Sequence, residues 1–177
     1  MRMVAVKKGL IITVRKVLSE DINGIMEYMK VIGGESDNLT FGAGEWDVSF
    51  ENELTFIENI NTENSVMLVA VANGEIAGSA SFSAGGRSRT QHVGELGITV
   101  RKSYWNLGVG SVLLEEIITW AKSTNIIRKI NLRVRTDNIN GIKLYRKYGF
   151  KEEGNLSRDF CINGIFFDSM TMGLEID

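Results

Sequence analysis

Ile98-Thr99-Val100-Arg101-Lys102-Ser103-Tyr104-Trp105-Asn106-Leu107-Gly108-Val109-Gly110-Ser111 carries the chain from an apolar, β-branched run through a turn with two close glycines into an amphipathic stretch. Val93 to Val100 reads as a central strand. Val109 to Ala121, with Val109, Val112, Leu113, Ile117, Trp120 and Ala121 forming one stripe, reads as a helix buried on that side. A strand that enters a helix through glycines gathers free backbone N–H groups at one point, beside the positive end of the helix dipole. Such a point binds phosphate oxygens, and glycine lets the ligand approach the backbone. The competing reading is that Gly108 and Gly110 only shape the turn, because short glycine motifs recur by chance. Two other phosphate loops fail on named residues. No Gly-Lys-Ser/Thr tripeptide occurs, and Leu113 stands where a dinucleotide fingerprint needs its third glycine.

Working outward, Ile130 to Val134 reads as a strand, Asn138 to Tyr148 as a helix with Ile142, Tyr145 and Tyr148 inward, and Phe150 to Ile176 as two strands turning at Asn163-Gly164. Upstream, Val66 to Ala72 and Ile76 to Phe82 flank Asn73-Gly74-Glu75, a hairpin signal. Phe50, Leu54, Ile57 and Ile60 predict a helix over Phe50 to Ile60. The polar, glycine-containing stretch Glu35 to Trp46 reads as a mobile loop, suited to cover a substrate. Leu10 to Val17 reads as the first strand, and Ser19 as the cap of a helix carrying Ile22, Ile25, Met26 and Met29, stopped by Gly33-Gly34. A hairpin that feeds a strand-helix-strand-helix-strand series predicts an α/β (α+β) three-layer sandwich. Its central sheet is mixed and mostly antiparallel, with one parallel crossover and helices on both sides. No repeat or proline-rich linker divides the chain, so residues 1–177 read as one domain.

Composition narrows the chemistry. A net charge of −2 gives no electrostatic reason to expect nucleic acid. Cys161 is the only cysteine and His92 the only histidine, which excludes an intrachain disulfide, a cysteine zinc cluster and any site needing two imidazoles, and no metal is expected. Val4-Ala5-Val6 is broken by Lys7-Lys8, and no apolar run is long enough to span a bilayer, so a cytoplasmic protein without a membrane partner is expected.

The glycine turn and the downstream Asn138-Ile139-Asn140-Gly141-Ile142-Lys143-Leu144-Tyr145-Arg146-Lys147-Tyr148-Gly149-Phe150 together resemble the acetyl-coenzyme A site of the GNAT family of N-acetyltransferases. Gly108 and Gly110 match that family's first motif, and Asn138, Ile142, Leu144, Tyr145, Gly149 and Phe150 its second. The likeness covers Ile76 to Phe150 well and the N-terminal third only by order of elements. Trp105 stands where the family usually has Arg or Gln, and Gly141 where it has Ala. The run His92 to Ile98 and the tail near Asp168 look most like bacterial enzymes that acetylate small amines or amino acids.

The resemblance implies an acyl-CoA N-acyltransferase fold and an enzyme that moves the acetyl group of acetyl-coenzyme A onto a primary amine by direct attack. A small-molecule or amino-acid acceptor is expected. A protein N-terminal or lysine acetyltransferase, or a catalytically weak coenzyme A-binding regulatory module, are the alternatives, and a homodimer is left open. Backbone amides of Asn106, Leu107, Gly108, Val109, Gly110 and Ser111 are expected to hold the pyrophosphate, and Ile98, Thr99 and Val100 to pair with the pantetheine arm. Asn138 is expected to hydrogen-bond that arm and Tyr145 to protonate the leaving thiolate. The amine must be neutral to attack, which at pH 7 costs about 4.6 kcal/mol for a lysine amine and about 1 kcal/mol for an α-amine. Glu95 is the candidate base, against the reading that it is a solvated strand carboxylate. His92, Glu45, Glu152 and Asp168 are further candidates for substrate contact.

Overall fold

Chain order alternates strands and helices across one eight-stranded sheet in the computed structural model, which describes residues 1–177. The strands are β1 (Arg2–Ala5), β2 (Ile11–Lys16), β3 (Ser65–Ala72), β4 (Glu75–Ala84), β5 (Val93–Val100), β6 (Lys129–Arg135), β7 (Lys151–Ile162) and β8 (Ile165–Glu175). The helices are α1 (Ile22–Glu35), α2 (Phe50–Ile60), α3 (Val109–Ser123) and α4 (Ile139–Lys147). The spatial order is β1-β2-β3-β4-β5-β6-β8-β7, antiparallel throughout except between β5 and β6.

Alternation along β3 shows how the layers are held. Val66, Leu68, Ala70 and Ala72 join the core that includes Val109, Leu113 and Ile117 of α3, whereas Met67 and Val69 join Ile25, Tyr28 and Ile57 of α1 and α2. With a side-chain period of two, one strand serves both cores. The result is the expected three-layer sandwich. No helix is long and apolar enough to cross a membrane.

Where local chemistry dictates an element, its bounds agree with the sequence. Ser49 accepts a hydrogen bond from Asn52 N at 3.2 Å and starts α2 at Phe50. Asn73 and Gly74 take φ of 51° and 83°, and Asn163 and Gly164 51° and 79°, the left-handed pair that two-residue hairpins require.

Three expectations at the N-terminal end need correction. Arg2–Ala5 forms an edge strand, which the sequence reading passed over because it is largely exposed and shows no alternation of buried residues. Ser19 is not the cap of α1. It opens a short 3₁₀ turn, and Asp21, at the cap position, directs its carboxylate to Leu18 N (2.8 Å) and to Arg15 (2.6 and 2.7 Å). The Arg15 guanidinium holds the Asp21 carboxyl below the usual carboxylate range. Gly33-Gly34 does not stop α1 either, because the helix runs on to Glu35. A Cβ on Gly33 would stand 2.5 Å from Gly42 O and 3.0 Å from the Phe41 ring, so the glycine admits the following loop against the helix. That loop is anchored by a tilted Phe41–Trp46 pair with centroids 5.0 Å apart.

A second close approach lies in the sheet. A Cβ on Gly94 of β5 would overlap the Ser83 carbonyl oxygen and come within 2.6 Å of Phe82 Cζ.

Candidate active site

The parallel ladder between β5 and β6 is short, joining only Val93, Gly94 and Glu95 to Lys129, Ile130 and Asn131. Beyond it the two strands diverge. Arg101 N–H bonds Ala77 O (2.9 Å) toward β4, while His92 O accepts from Lys129 N (3.1 Å) toward β6. Strand alternation between those ends turns the N–H and C=O groups of Ile98 and Val100 away from β4 and into the open wedge. Thr99 is turned the other way, opposite Ser79 on β4, with its hydroxyl 2.7 Å from the Tyr28 phenol oxygen. Burial pushes the Tyr28 phenol up. Trp105 donates its indole N–H to Val100 O at 2.6 Å, so the indole occupies that carbonyl at the end of β5.

The turn into α3 is shaped by Asn106 at φ 61° and Gly108 at φ 103°. Val112 N–H closes the first helical bond, to Gly108 O at 3.1 Å, which leaves the N–H groups of Val109, Gly110 and Ser111 ahead of the ladder. Leu107 O accepts from Lys7 N at 3.0 Å, fixing the turn to the N-terminal hairpin. At Gly110 a Cβ would meet Leu144 Cδ2 at 3.6 Å and Val100 Cγ2 at 3.7 Å. Three elements named from the sequence therefore converge: the end of β5, the first turn of α3, and α4. Glu35 ties α1 to the same region, accepting from Lys102 N at 2.6 Å with its other oxygen 3.5 Å from Arg101 Nε.

Asn138 caps α4, its Oδ1 accepting from Gly141 N at 3.0 Å, which leaves both Nδ2 donors for a ligand. Tyr145 lies half-buried on α4 with its ring 5.8 Å from Phe150, and its hydroxyl has no protein partner. Burial pushes the phenol up to about 12, so it keeps its proton at neutral pH.

Two cavities lie beside β6. One, about 440 Å³, is lined by Glu35, Trp105, Arg135, Asn138 and Ile139 among others. The second, about 380 Å³, lies between the 36–45 loop and β7, with Leu39, Phe41, Glu45, Arg133, Asp159 and Phe160 in its walls. Ser36 and Asp37 line both. Arg135 is buried at their border, paired with both oxygens of Asp137 (3.0 and 2.7 Å), bonded to Asp37 O (2.7 Å), and stacked 3.9 Å over the Phe167 ring.

Glu95 is exposed on β5, in register with Ser83 and Asn131, and lines neither cavity. Asn131 Oδ1 beside it is buried without a partner. Of the weaker candidates, Glu45 lines the second cavity. Glu152 pairs with Arg146, and Asp168 accepts from Arg158 N at 2.8 Å. His92 is exposed at the start of β5. Arg133 and Asp159 were missed in the sequence. The signal available for Arg133 was its place between Leu132 and Val134, both buried, which turns it to the opposite face of β6. No cluster of three or more His, Cys, Asp or Glu side chains could hold a metal ion.

Known proteins share this fold. The family model described as the acetyltransferase (GNAT) family matches residues 35–150. The L-amino acid N-acetyltransferase AaaT of Escherichia coli (strain K12) is 35% identical over 105 residues, which are 59% of this chain and 65% of that protein. The match thus spans just under two thirds of that relative's length. The crystal structure of a GNAT-family acetyltransferase from Streptococcus pneumoniae superposes with a TM-score of 0.91 at 34% identity, covering 93% of this chain and 99% of that one. A phosphinothricin acetyltransferase from Sinorhizobium meliloti, solved in complex with acetyl-CoA, shares the fold with a TM-score of 0.81 at 19% identity, over 93% and 88% of the two chains. The chain belongs to the GNAT family of acetyltransferases.

Proposed function

We propose that the protein transfers the acetyl group of acetyl-coenzyme A to the amine of a small molecule, with amino acids as the acceptor class. The observation that carries this reading is the open wedge between β5 and β6, set beside the unbonded amides at the start of α3. Acetyl-coenzyme A supplies the thioester carbon on which the amide C–N bond forms as the C–S bond breaks, coenzyme A leaving as its thiolate and the surplus proton on nitrogen passing to water. The N–H groups of Val109, Gly110 and Ser111 bind pyrophosphate oxygens, and Ile98 and Val100 act as one edge of a ladder for the pantetheine amides. Trp105 yields or shares the Val100 carbonyl when that edge is taken. Asn138 contributes its Nδ2 donors.

Tyr145 donates a hydrogen bond to the sulfur as negative charge develops there. Its phenol, at about 12, is a weaker acid than a thiol near 8.5, so the proton is shared with the sulfur and not handed over completely. The amine of a free amino acid must be neutral to attack, and its own carboxylate raises it above the peptide-terminal value of about 7.7–8.0, so the site has to favour the neutral form. The name of the Escherichia coli relative, an L-amino acid N-acetyltransferase, supports the same acceptor class.

Two measurements test the reading. Acetyl-coenzyme A at about a hundred times its dissociation constant should add roughly 2.7 kcal/mol. For a chain of this size that raises the melting temperature by about 5–10 °C. An unmoved melting temperature overturns the proposal at its base. A shift without coenzyme A release on a panel of amines would mark a binding module instead of an enzyme.

Glu95 sits apart from both cavities, so a base role would run through water. Under that role Glu95→Gln lowers turnover and shifts the activity profile to higher pH, where solution supplies neutral amine. A carboxylate that only anchors the acceptor would raise the acceptor's KM and leave kcat intact. If neither constant moves, Glu95 has no part in the reaction.

A further inference from the structure

We infer that Arg133 reads the free carboxylate of an α-amino acid whose apolar side chain fills the 380 Å³ cavity, an inference that rests on the acetyltransferase reading of the same cleft. The two arginines on this face of β6 differ in what they have left to give. Arg135 has little left to offer: three hydrogen bonds go to Asp137 and to Asp37 O, its plane is covered by Phe167, and it is only 5% exposed. Arg133 makes one hydrogen bond, from Nη1 to Asp159 Oδ1 at 3.2 Å, and its side chain is 40% exposed in the cavity wall. A guanidinium has five N–H donors in a planar fork that matches a carboxylate, so most of the Arg133 fork is free for a ligand.

Asp159 is the residue that aims it. The β7–β8 register breaks between Leu156 and Phe160, with Arg158 at φ 53°, and this irregularity turns Asp159 toward β6. The hydroxyl of Ser169, wholly buried on β8, donates to Asp159 Oδ2 and leaves Oδ1 for Arg133. Asp159 is therefore a positioning residue. The remaining wall is mixed: Leu39, Phe41, Phe160 and Ile162 offer an apolar side chain one side of it, beside the polar Thr40, Glu45 and Asn163. A cavity of this size is at the small end of ordinary ligand sites, which suits a single amino acid better than a peptide.

The location joins this cavity to the chemistry. Arg133 lies two residues past Asn131, the last residue of β6 that pairs with β5, and so borders the wedge. In an α-amino acid the carboxylate and the amine share one carbon. Holding the first on Arg133 keeps the second at the mouth of the wedge.

The test compares L-phenylalanine with L-phenylalaninamide, scored by coenzyme A release with acetyl-coenzyme A. The amide keeps the amine and the ring and loses only the carboxylate. Its amine is no more basic than that of the acid, so any loss of rate reports recognition of the carboxylate. Wild type should favour the acid in kcat/KM by about tenfold or more, as expected for a charge-assisted hydrogen bond to a half-exposed guanidinium. Arg133→Met should bring that ratio close to one, chiefly through KM for the acid, and Arg133→Lys should restore part of it. A wild type that takes both acceptors equally overturns the inference, as does an Arg133→Met protein with an unchanged ratio, which would make the arginine structural. Should Arg133→Met fail to fold, the wild-type ratio and Arg133→Lys decide. Absence of any acetyl-coenzyme A thermal shift in wild type would sink the acetyltransferase reading itself. A shift with turnover of spermidine or a peptide, but of no free amino acid, would sink this inference and the amino-acid acceptor class, and leave the acetyl-coenzyme A-dependent transferase standing.

Discussion

Tyr145→Phe should lower turnover by about a hundredfold or more while leaving the melting temperature and the affinity for acetyl-coenzyme A near those of wild type. The variant isolates one atom. The hydroxyl has no protein hydrogen bond to lose, and the ring keeps its contact with Phe150 at 5.8 Å, so the fold has little reason to respond. Because burial lifts the phenol to about 12, its proton is present at every pH at which the enzyme would be assayed. The alkaline limb of the activity profile should therefore not report this group, and wild type and variant should share one profile shape below pH 10. Kinetics across pH check both statements. Equal turnover in the two proteins would make Tyr145 a packing residue and leave the thiolate to depart unassisted.

The largest expected stability effect comes from Gly94→Ala. The new Cβ would overlap Ser83 O and stand 2.7 Å from Ser83 C and 2.6 Å from Phe82 Cζ. Neither neighbour yields cheaply. Ser83 is held in the β4–β5 ladder, and Phe82 is wholly buried with its ring 5.6 Å from Trp120. Gly94 also sits in the three-residue parallel ladder that joins the two halves of the sheet. A destabilisation of about 2–4 kcal/mol is expected. Thermal denaturation should show it as a drop of roughly 5–15 °C. Gly97→Ala, whose Cβ would meet only Ser81 Oγ at 3.5 Å, is the matched control and should melt close to wild type. A Gly94→Ala protein as stable as that control would mean that β4 and β5 separate locally at little cost.

What the sequence made legible was local. Ser49 and the spacing of Phe50, Leu54, Ile57 and Ile60 define α2 because a cap and a helical period need nothing beyond the segment itself. The two Asn-Gly turns are legible for the same reason. Gly33-Gly34 misleads because its purpose is tertiary: the glycines make room for Gly42 and Phe41 and do not end the helix. The strand Arg2–Ala5 is an exposed edge with little burial pattern to read.

The candidate site divides along the same line. The turn from Val100 to Ser111 and the helix after Asn138 are continuous stretches whose residue order announces them. Arg133 and Asp159 lie 26 residues apart, on strands separated in the sheet by β8, and they meet only through the broken register of β7. No short-range pattern records such a meeting. The indole of Trp105 lies between these cases, since its partner Val100 is five residues away but the bond depends on where the side chain turns.

Ser36 and Asp37 form a party wall between the two cavities, and Arg135 pins that wall to β6 through the Asp37 carbonyl. Two ligands on opposite sides of one partition are energetically linked, and the link is reciprocal: whatever factor the first applies to the affinity of the second, the second returns to the first. The size of that factor depends on how far the partition can move. The buried Arg135 guanidinium, bonded to both Asp137 and the Asp37 carbonyl, resists displacement of that wall, so a bulky occupant on one side presses on the other. Variation that enlarges or reshapes the 36–45 loop for a different acceptor therefore carries a side effect on the neighbouring cavity, even though the residues that line the two come largely from separate parts of the chain.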